Sequence, residues 1–390
     1  MGNTPNIRFK GYTDDWEQRK LGAVVEDYVE KTTVEDQYPV LTSSQQKGIV
    51  LQDDYFSGDR VSQNGNVGYF IIPRGYFAFR SRSDNDVFVF NRNDVADMGI
   101  ISYFYPVFKP KGVDSDFLLR RLNYGLEDQI KINSEGTGQH VLSLKKFKNM
   151  VGLFPSYEEQ KKVGSYFSKI DNLISRHQQE YDNMAALKKY MLQKMFPANG
   201  EKVPEIRFEG FTDLWEQRKF GDIIEFLDTL RKPLKETDRE PGPYPYYGAS
   251  GIVDYVADYI FDEELILLSE DGANITDRNY PVCFLATGKY WVNNHVHVLK
   301  ARNKMDNNFI CMSMERKDYS NYNTGMAMPK LNKDTCCQIP VDCPTFDEQK
   351  KIGAYFRKLD NLITLHQRKR DELLELKKYM LQNMFPKKEG

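Results

Sequence analysis

The chain of 390 residues is short of cysteine, histidine and tryptophan: five, five and three. The cysteines, Cys283, Cys311, Cys336, Cys337 and Cys343, are odd in number and form no C-x-x-C. Neither a disulfide framework nor a zinc site is expected, and a reducing cytosol suits the chain best. No apolar run approaches the ~18 residues of a membrane helix. The opening Met-Gly-Asn-Thr-Pro-Asn-Ile-Arg carries no apolar signal core, and Asn6 departs from the myristoylation pattern. A cytoplasmic protein is the expectation. Charge of one sign is also lacking. Lys and Arg number 54 against 56 Asp and Glu, a net charge of −2, so no global basic field marks a nucleic-acid partner.

The motifs of catalysis are missing as well. The sequence has no phosphate loop, no G-x-G-x-x-G, no H-E-x-x-H, no G-x-S-x-G, and no Asn-Pro-Pro or Asp-Pro-Pro of the amino-methyltransferase type. His295 and His297, two apart, point to opposite faces of a strand. Core or surface placement is expected for them, and metal binding is not. Glu159-Gln160-Lys161 and Glu348-Gln349-Lys350 have the E-x-K spacing of nucleases, but no Pro-Asp precedes them. They read as helix N-terminal acid followed by base, which suits the helix dipole. No catalytic residue and no metal ligand is expected.

What is present is a repeat. Residues 7–22, IRFKGYTDDWEQRKLG, return at 206–221 as IRFEGFTDLWEQRKFG, with 12 of 16 positions identical at an offset of 199. Residues 157–197 return at 346–386 with 25 of 41 identical at an offset of 189. Two matching frames thus carry two inserts, about 23–156 and 222–345, which share no more than isolated residues. Frames that match around inserts that differ imply a common requirement at the frames and a separate one at each insert.

Both 157–197 and 346–386 predict long helices. They lack internal proline, are rich in good helix formers and end before Pro197 and Pro386. Apolar residues at Val163, Phe167, Ile170, Ile174, with His177, and at Ile352, Phe356, Leu359, Ile363, with His366, step by four and three as a coiled-coil seam does. Each helix would run ~57 Å at 1.5 Å per residue. An antiparallel pair within the chain is favoured, with packing on another subunit as the competing arrangement. His177 and His366 read as polar residues that fix register. Gly164 and Gly353, costly in a helix by about 1 kcal/mol, imply close approach of a neighbour.

The inserts read as mixed α/β with many short strands, as in VGYFIIPRGYFAFRSRSDNDVFVF and in PGPYPYYGASGIVDYVADYIF, LILLSEDGANIT and YWVNNHVHVL. The expected class is α+β. Two mixed α/β domains are separated by two long antiparallel coiled-coil helices, in a pseudo-two-fold internal repeat. The divisions fall at 1–156, 157–197, 198–345 and 346–390. Polar residues suited to DNA cluster in the inserts. In the first they are Lys47, Arg60, Arg74, Arg80, Arg82 and Lys145. In the second they are Tyr246, Tyr247, Ser250, Arg278, Lys289, Asn293, Asn294, Lys330, Asn332 and Lys333. Arg and Asn read guanine and adenine by paired hydrogen bonds, and Lys and Ser hold phosphates. Such residues are also ordinary surface residues.

The frame IRF-x-G-[YF]-T-D-x-W-E-Q-R-K, the segment EQKK-[VI]-G-x-YF-x-K-[IL]-DNLI…HQ and the ending LKKYMLQ-x-MFP resemble the specificity subunit of type I restriction-modification systems. YPYYGASGI, EDGANI, NNHVHVL and PKLNKDT are similar to that family's target-recognition domains. The resemblance implies a non-catalytic subunit whose two target-recognition domains each read half of a split double-stranded DNA site. The helices would then be the spacer. It implies two modification subunits that bring S-adenosylmethionine and methylate adenine, and restriction subunits that bring ATP and Mg²⁺. It implies no cofactor in this chain. Two identical partners would require two equal docking surfaces, while two half-sites would differ. A coiled-coil scaffold carrying two binding domains is the alternative from another class, and a self-contained enzyme is a third.

Overall fold

A computed structural model describes residues 4–56, 65–85, 87–136, 138–198 and 200–386. The chain divides into two compact units, Met1–His177 with Lys369–Gly390, and Gln178–Arg368. The two long helices are present as Tyr157–Lys194 and Phe346–Met384, of 38 and 39 residues. Each begins in one unit and ends in the other, so each unit holds the first half of one helix and the last half of its repeat.

Within each unit the two half-helices run antiparallel. In the first, Val163 and Phe167 share a core with Met380, Leu381, Met384 and Phe385, and Asp171 Oδ1 takes the Lys377 ammonium at 2.7 Å. In the second, Ile352, Phe356 and Leu359 share a core with Met184, Met191, Met195 and Phe196, and Asp360 Oδ1 takes Lys188 at 2.6 Å. Of the expected seam, Val163, Phe167, Ile170, Ile352, Phe356 and Leu359 are buried. Ile174, His177, Ile363 and His366 are half-buried. Burial falls toward the middle of each helix and returns at its end, at Met195 and Phe196 and at Met384 and Phe385, where the helix end joins a domain core.

Both repeated frames close the same way. Strand Glu17–Lys20 pairs antiparallel with Val151–Phe154, and Glu216–Lys219 with Pro340–Cys343. Trp16 is buried edge-on against Phe117 and Phe385, and Trp215 against Phe309 and Phe196. The amide of Ile7 donates to Asn383 O, and that of Ile206 to Lys194 O, both at 2.9 Å. The end of the second helix therefore meets the first frame as the end of the first helix meets the second frame.

The close approach implied by the helix glycines is present. A Cβ on Gly164 would lie 2.5 Å from Asp114 Oδ1 and 2.7 Å from Phe117 N. On Gly353 it would lie 2.2 Å from Asp306 Oδ1. Asp114 and Asp306 are N-caps of the helices Ser115–Leu122 and Asn307–Glu315, each accepting from the amide three residues on at 2.9 Å. Each helix start is set down on a long helix where no side chain intervenes.

The inserts, dissimilar in sequence, are alike in topology. In the first unit one sheet has the order Val25–Tyr28, Val107–Pro110, Phe77–Phe79, Phe90–Arg92. The other has Gly48–Leu51, Val40–Ser44, Met98–Ile101, Phe70–Pro73. In the second unit the orders are Ile224–Phe226, Val296–Ala301, Leu265–Ser269, Cys283–Ala286, and Gly251–Val256, Pro241–Gly248, Lys289–Val292, Phe261–Asp262. Strand for strand these match, including the parallel contacts Val40 with Ile100 and Tyr246 with Trp291. The expected pseudo-two-fold repeat extends through the inserts: the fold repeats where the residues do not. The cores explain how. The first sheet of the first unit packs around rings, Phe77 on Phe108 at 5.5 Å and Phe79 on Phe90 at 4.9 Å. Its counterpart packs around Ile266, Leu268, Leu299 and Val282. Apolar alternation and volume are kept, and identity is not needed.

Candidate nucleic-acid interface

In the first unit the chain leaves strand Phe77–Phe79 through Arg80, Ser81 and Arg82. Alternation along an extended segment sends Arg80 and Arg82 to one side. They stand between two adjoining grooves of about 550 and 760 Å³ that share Thr42, Phe56, Arg80, Arg82 and Tyr105. The Arg82 guanidinium lies 4.9 Å from the centre of the Phe104 ring. Neither Arg80 nor Arg82 has a carboxylate partner among the described residues. Tyr103 beside Phe104 is 59% exposed, so flat apolar faces border the cationic ones. Lys47 is in the hairpin turn before Gly48 and lies 5.8 Å over Tyr55, which also lines the groove. The structure thus brings Lys47, Arg80 and Arg82 together.

The other candidates of this unit stand apart. Arg74 is committed to its own turn, with Nε on Asp97 Oδ1 at 2.8 Å and Nη1 on Asp94 O at 2.6 Å. Lys145 is exposed on the short helix Leu144–Asn149. Arg60 lies outside the described residues.

In the second unit Asn293, Asn294 and Lys330 are brought to one edge with Asp271 and His295. Asn293 Oδ1 accepts from His295 N at 2.8 Å, and His295 Nδ1 meets Asp271 Oδ1 at 2.9 Å. Lys330 Nζ is 3.5 Å from Glu270 Oε1. Behind this edge is a charge network. Arg231 Nη1 donates to Glu270 Oε2 at 2.6 Å, and Asp228 Oδ2 meets His297 Nδ1 at 2.7 Å. Burial raises the Asp228 carboxyl, but the His297 hydrogen bond and charge outweigh it and hold the group below its usual range. His297 is buried and its Nε2 meets Leu331 O at 2.7 Å, whereas His295 is exposed, as their spacing implied.

Asp228, Glu270 and His297 are close enough to offer three ligands to one ion. Their chemistry does not fit one. Both His297 nitrogens are engaged, and the Arg231 guanidinium already supplies the positive charge.

The remaining candidates serve the fold or sit elsewhere. Tyr246 is buried beneath the Arg239 guanidinium, 4.8 Å from it. Tyr247 is half-buried between Phe284 and Tyr290, and burial raises its phenol. Arg278 is occupied by the Glu315 carboxylate at 3.2 Å. Lys289 covers Tyr259 and Lys333 covers Phe226, at 4.5 and 5.1 Å. Ser250 is exposed in the turn before Gly251, and Asn332 precedes the helix Lys333–Cys337. The five cysteines are free thiols, and all but the half-buried Cys337 are buried, packing rather than chemistry.

Sequence reasoning missed the partner of Glu159. Its two oxygens take Arg8 Nε and Nη2 at 2.7 and 2.8 Å, and Glu348 takes Arg207 likewise at 2.7 Å each. The signal was the repeat, since Arg8 and Glu159 recur together as Arg207 and Glu348. The frames also leave a matched exposed face. Lys161 covers Tyr157 and Lys162 covers Tyr12; Lys350 covers Phe346 and Lys351 covers Phe211, all at 4.8 to 5.3 Å. Among the described residues no helix is long and apolar enough to cross a membrane.

Comparison with known proteins places this architecture. Residues 212–375 match the family model for the type I restriction modification DNA specificity domain. A putative type I restriction enzyme specificity subunit of Haemophilus influenzae is 34% identical over 137 residues, 35% of each chain. The specificity subunit of the type I restriction enzyme MjaVIII of Methanocaldococcus jannaschii is 23% identical over 294 residues, 65% of this chain and 66% of that one. The matches thus span from about a third to just under two thirds of these relatives. The crystal structure of a type I restriction-modification S subunit from M. genitalium has the same fold, with a TM-score of 0.73 at 15% identity, covering 99% of this chain and all of that one. Residues 212–375 are therefore similar to the type I restriction modification DNA specificity domain, and the chain as a whole shares the fold of a solved type I S subunit.

Proposed function

We propose that this chain is the DNA-reading subunit of a type I restriction-modification complex and performs no catalysis itself. Each insert domain reads one half of a bipartite double-stranded target. The long helices set the distance between the halves. The matched frames dock two modification subunits, which carry S-adenosylmethionine and methylate adenine. Restriction subunits that join the assembly bring ATP and Mg²⁺.

The observation that carries this reading is the contrast between frame and edge. The pairs Arg8–Glu159 and Arg207–Glu348 repeat residue for residue, and the Lys–aromatic contacts repeat position for position. The edges of the two insert domains share backbone positions but not chemistry. A duplicated partner accounts for the first property and a two-part target for the second. The near-neutral chain has little long-range attraction for phosphate, so much of the electrostatic grip would come from the modification subunits.

The test is selection of bound sequences from random duplex DNA by the chain assembled with its modification subunits. Enrichment of two short motifs at one fixed spacing is expected. An assembled complex that enriches no sequence would favour the coiled-coil scaffold.

A further inference from the structure

The two insert domains can be aligned position by position from their backbone hydrogen bonds. Ser81 N donates to Phe104 O at 3.0 Å, and Leu142 N donates to Ser81 O at 3.0 Å. Glu270 N donates to His295 O at 2.9 Å, and Leu331 N donates to Glu270 O at 2.7 Å. Ser81 and Glu270 are therefore equivalent, and so are Phe104 and His295. The residues that follow are Arg82 and Asp271. Arg82 pairs across with Val141, and Asp271 bridges to Lys330. One place in the fold thus holds Arg82, Phe104 and Val141 in the first domain, and Asp271, His295 and Lys330 in the second.

The chemistry at this place is inverted. Arg82 lies on the Phe104 ring, with Arg80 beside it, and offers donors only. Asp271 offers acceptors, held against His295 Nδ1 and backed by the Arg231–Glu270 pair. Arg82 is exposed, and the Asp271 side chain is 22% exposed between His295 and Lys330, whose side chains are 52% and 44% exposed. In the major groove guanine presents two acceptors, O6 and N7, which a guanidinium meets with two bonds. An exocyclic amino group, cytosine N4 or adenine N6, presents a donor that a carboxylate meets.

We infer that these equivalent positions determine specificity in both domains: Arg82, supported by Arg80, reads a guanine in one half-site, and Asp271 reads an exocyclic amino group in the other. His295 positions the Asp271 carboxylate. The assignment rests on the proposed DNA-reading function.

The experiment measures sequence preference of the assembled complex with wild-type chain, Arg82→Ala, Arg82→Lys and Asp271→Asn. Arg82→Ala is expected to lose, on the order of ten- to a hundred-fold, the preference for one guanine in one half-site. Arg82→Lys keeps the charge but not the planar pair of donors, so it should lose the same preference with little loss of overall binding. Asp271→Asn should change preference only in the other half, and the base affected distinguishes cytosine from adenine. Weakening that is uniform across sequences, with Arg82→Lys like wild type, would make Arg82 a phosphate contact and overturn the inference. Unchanged preferences in all variants would overturn it as well, while leaving the DNA-reading function intact. A wild-type complex without sequence preference would remove both.

Discussion

Arg8 lays two guanidinium nitrogens on the two carboxylate oxygens of Glu159, a side chain that is 1% exposed, and the same pair recurs between Arg207 and Glu348. The frame and the start of each long helix are joined by this contact. Gln160 and Gln349 extend it, each donating to the carbonyl of a preceding proline at 2.9 Å and accepting an amide from the cap of a neighbouring helix. Three elements distant in sequence meet at one polar point under the domain.

Removing one partner strands a buried charge. Arg8→Ala is expected to cost about 3–5 kcal/mol in the first unit, and Arg207→Ala the same in the second. Denaturant titration of the full chain, followed by hydrogen exchange to assign the unit, measures this. A cost below about 1 kcal/mol, as at a surface pair, would contradict it.

Gly164→Ala and Gly353→Ala should destabilise. By helix propensity alone each would stabilise by about 1 kcal/mol. The space is already taken by Asp114 and Asp306, so the sign reverses. Melting temperatures of the two variants decide, and a rise in either would show that the caps can move aside.

Asp228 gives the second unit an acid limit. Its carboxyl is held low in the folded state by His297. Its contribution is therefore full above the unfolded carboxylate range near pH 4 and is lost as pH falls through the lower folded value. Asp228→Asn should flatten the stability profile on that side. A profile as steep as wild type would place the acid sensitivity elsewhere.

The frame contacts Ile7–Asn383 and Ile206–Lys194 are equivalent. A chain opened within 198–205 and joined from 386 to 7 by a linker of that length should keep its fold, with native-like hydrogen exchange in both units. Loss of protection at Trp16 and Trp215 would show that the native linker is required.

The frames and helices were legible because their residues repeat and their periodicity is long. The helix glycines were legible because glycine has no other use at those positions. Much of the rest was hidden by physics that does not write itself into identity. A strand needs alternation and volume, so a ring-packed core around Phe79 and an aliphatic one around Leu268 give one topology without a shared pattern. Arg80 and Arg82 could be named as candidates but not told from Arg74. What separates them is the Asp97 carboxylate, 23 residues from Arg74. Tyr246 and Tyr247 looked alike in sequence, and packing buries the first beneath Arg239 and holds the second between rings.

The central claim is that equal frames carry independent readers. The most direct measurement replaces residues 222–345 with the corresponding segment of a type I restriction-modification specificity subunit. The chimera is expressed with its modification subunits in a host without adenine methylation, and methylated bases are read by single-molecule sequencing. The account predicts a bipartite motif in which one half is new and the other half and the spacing are those of the parent. A chimera that alters both halves, or abolishes methylation although the complex assembles, would contradict it.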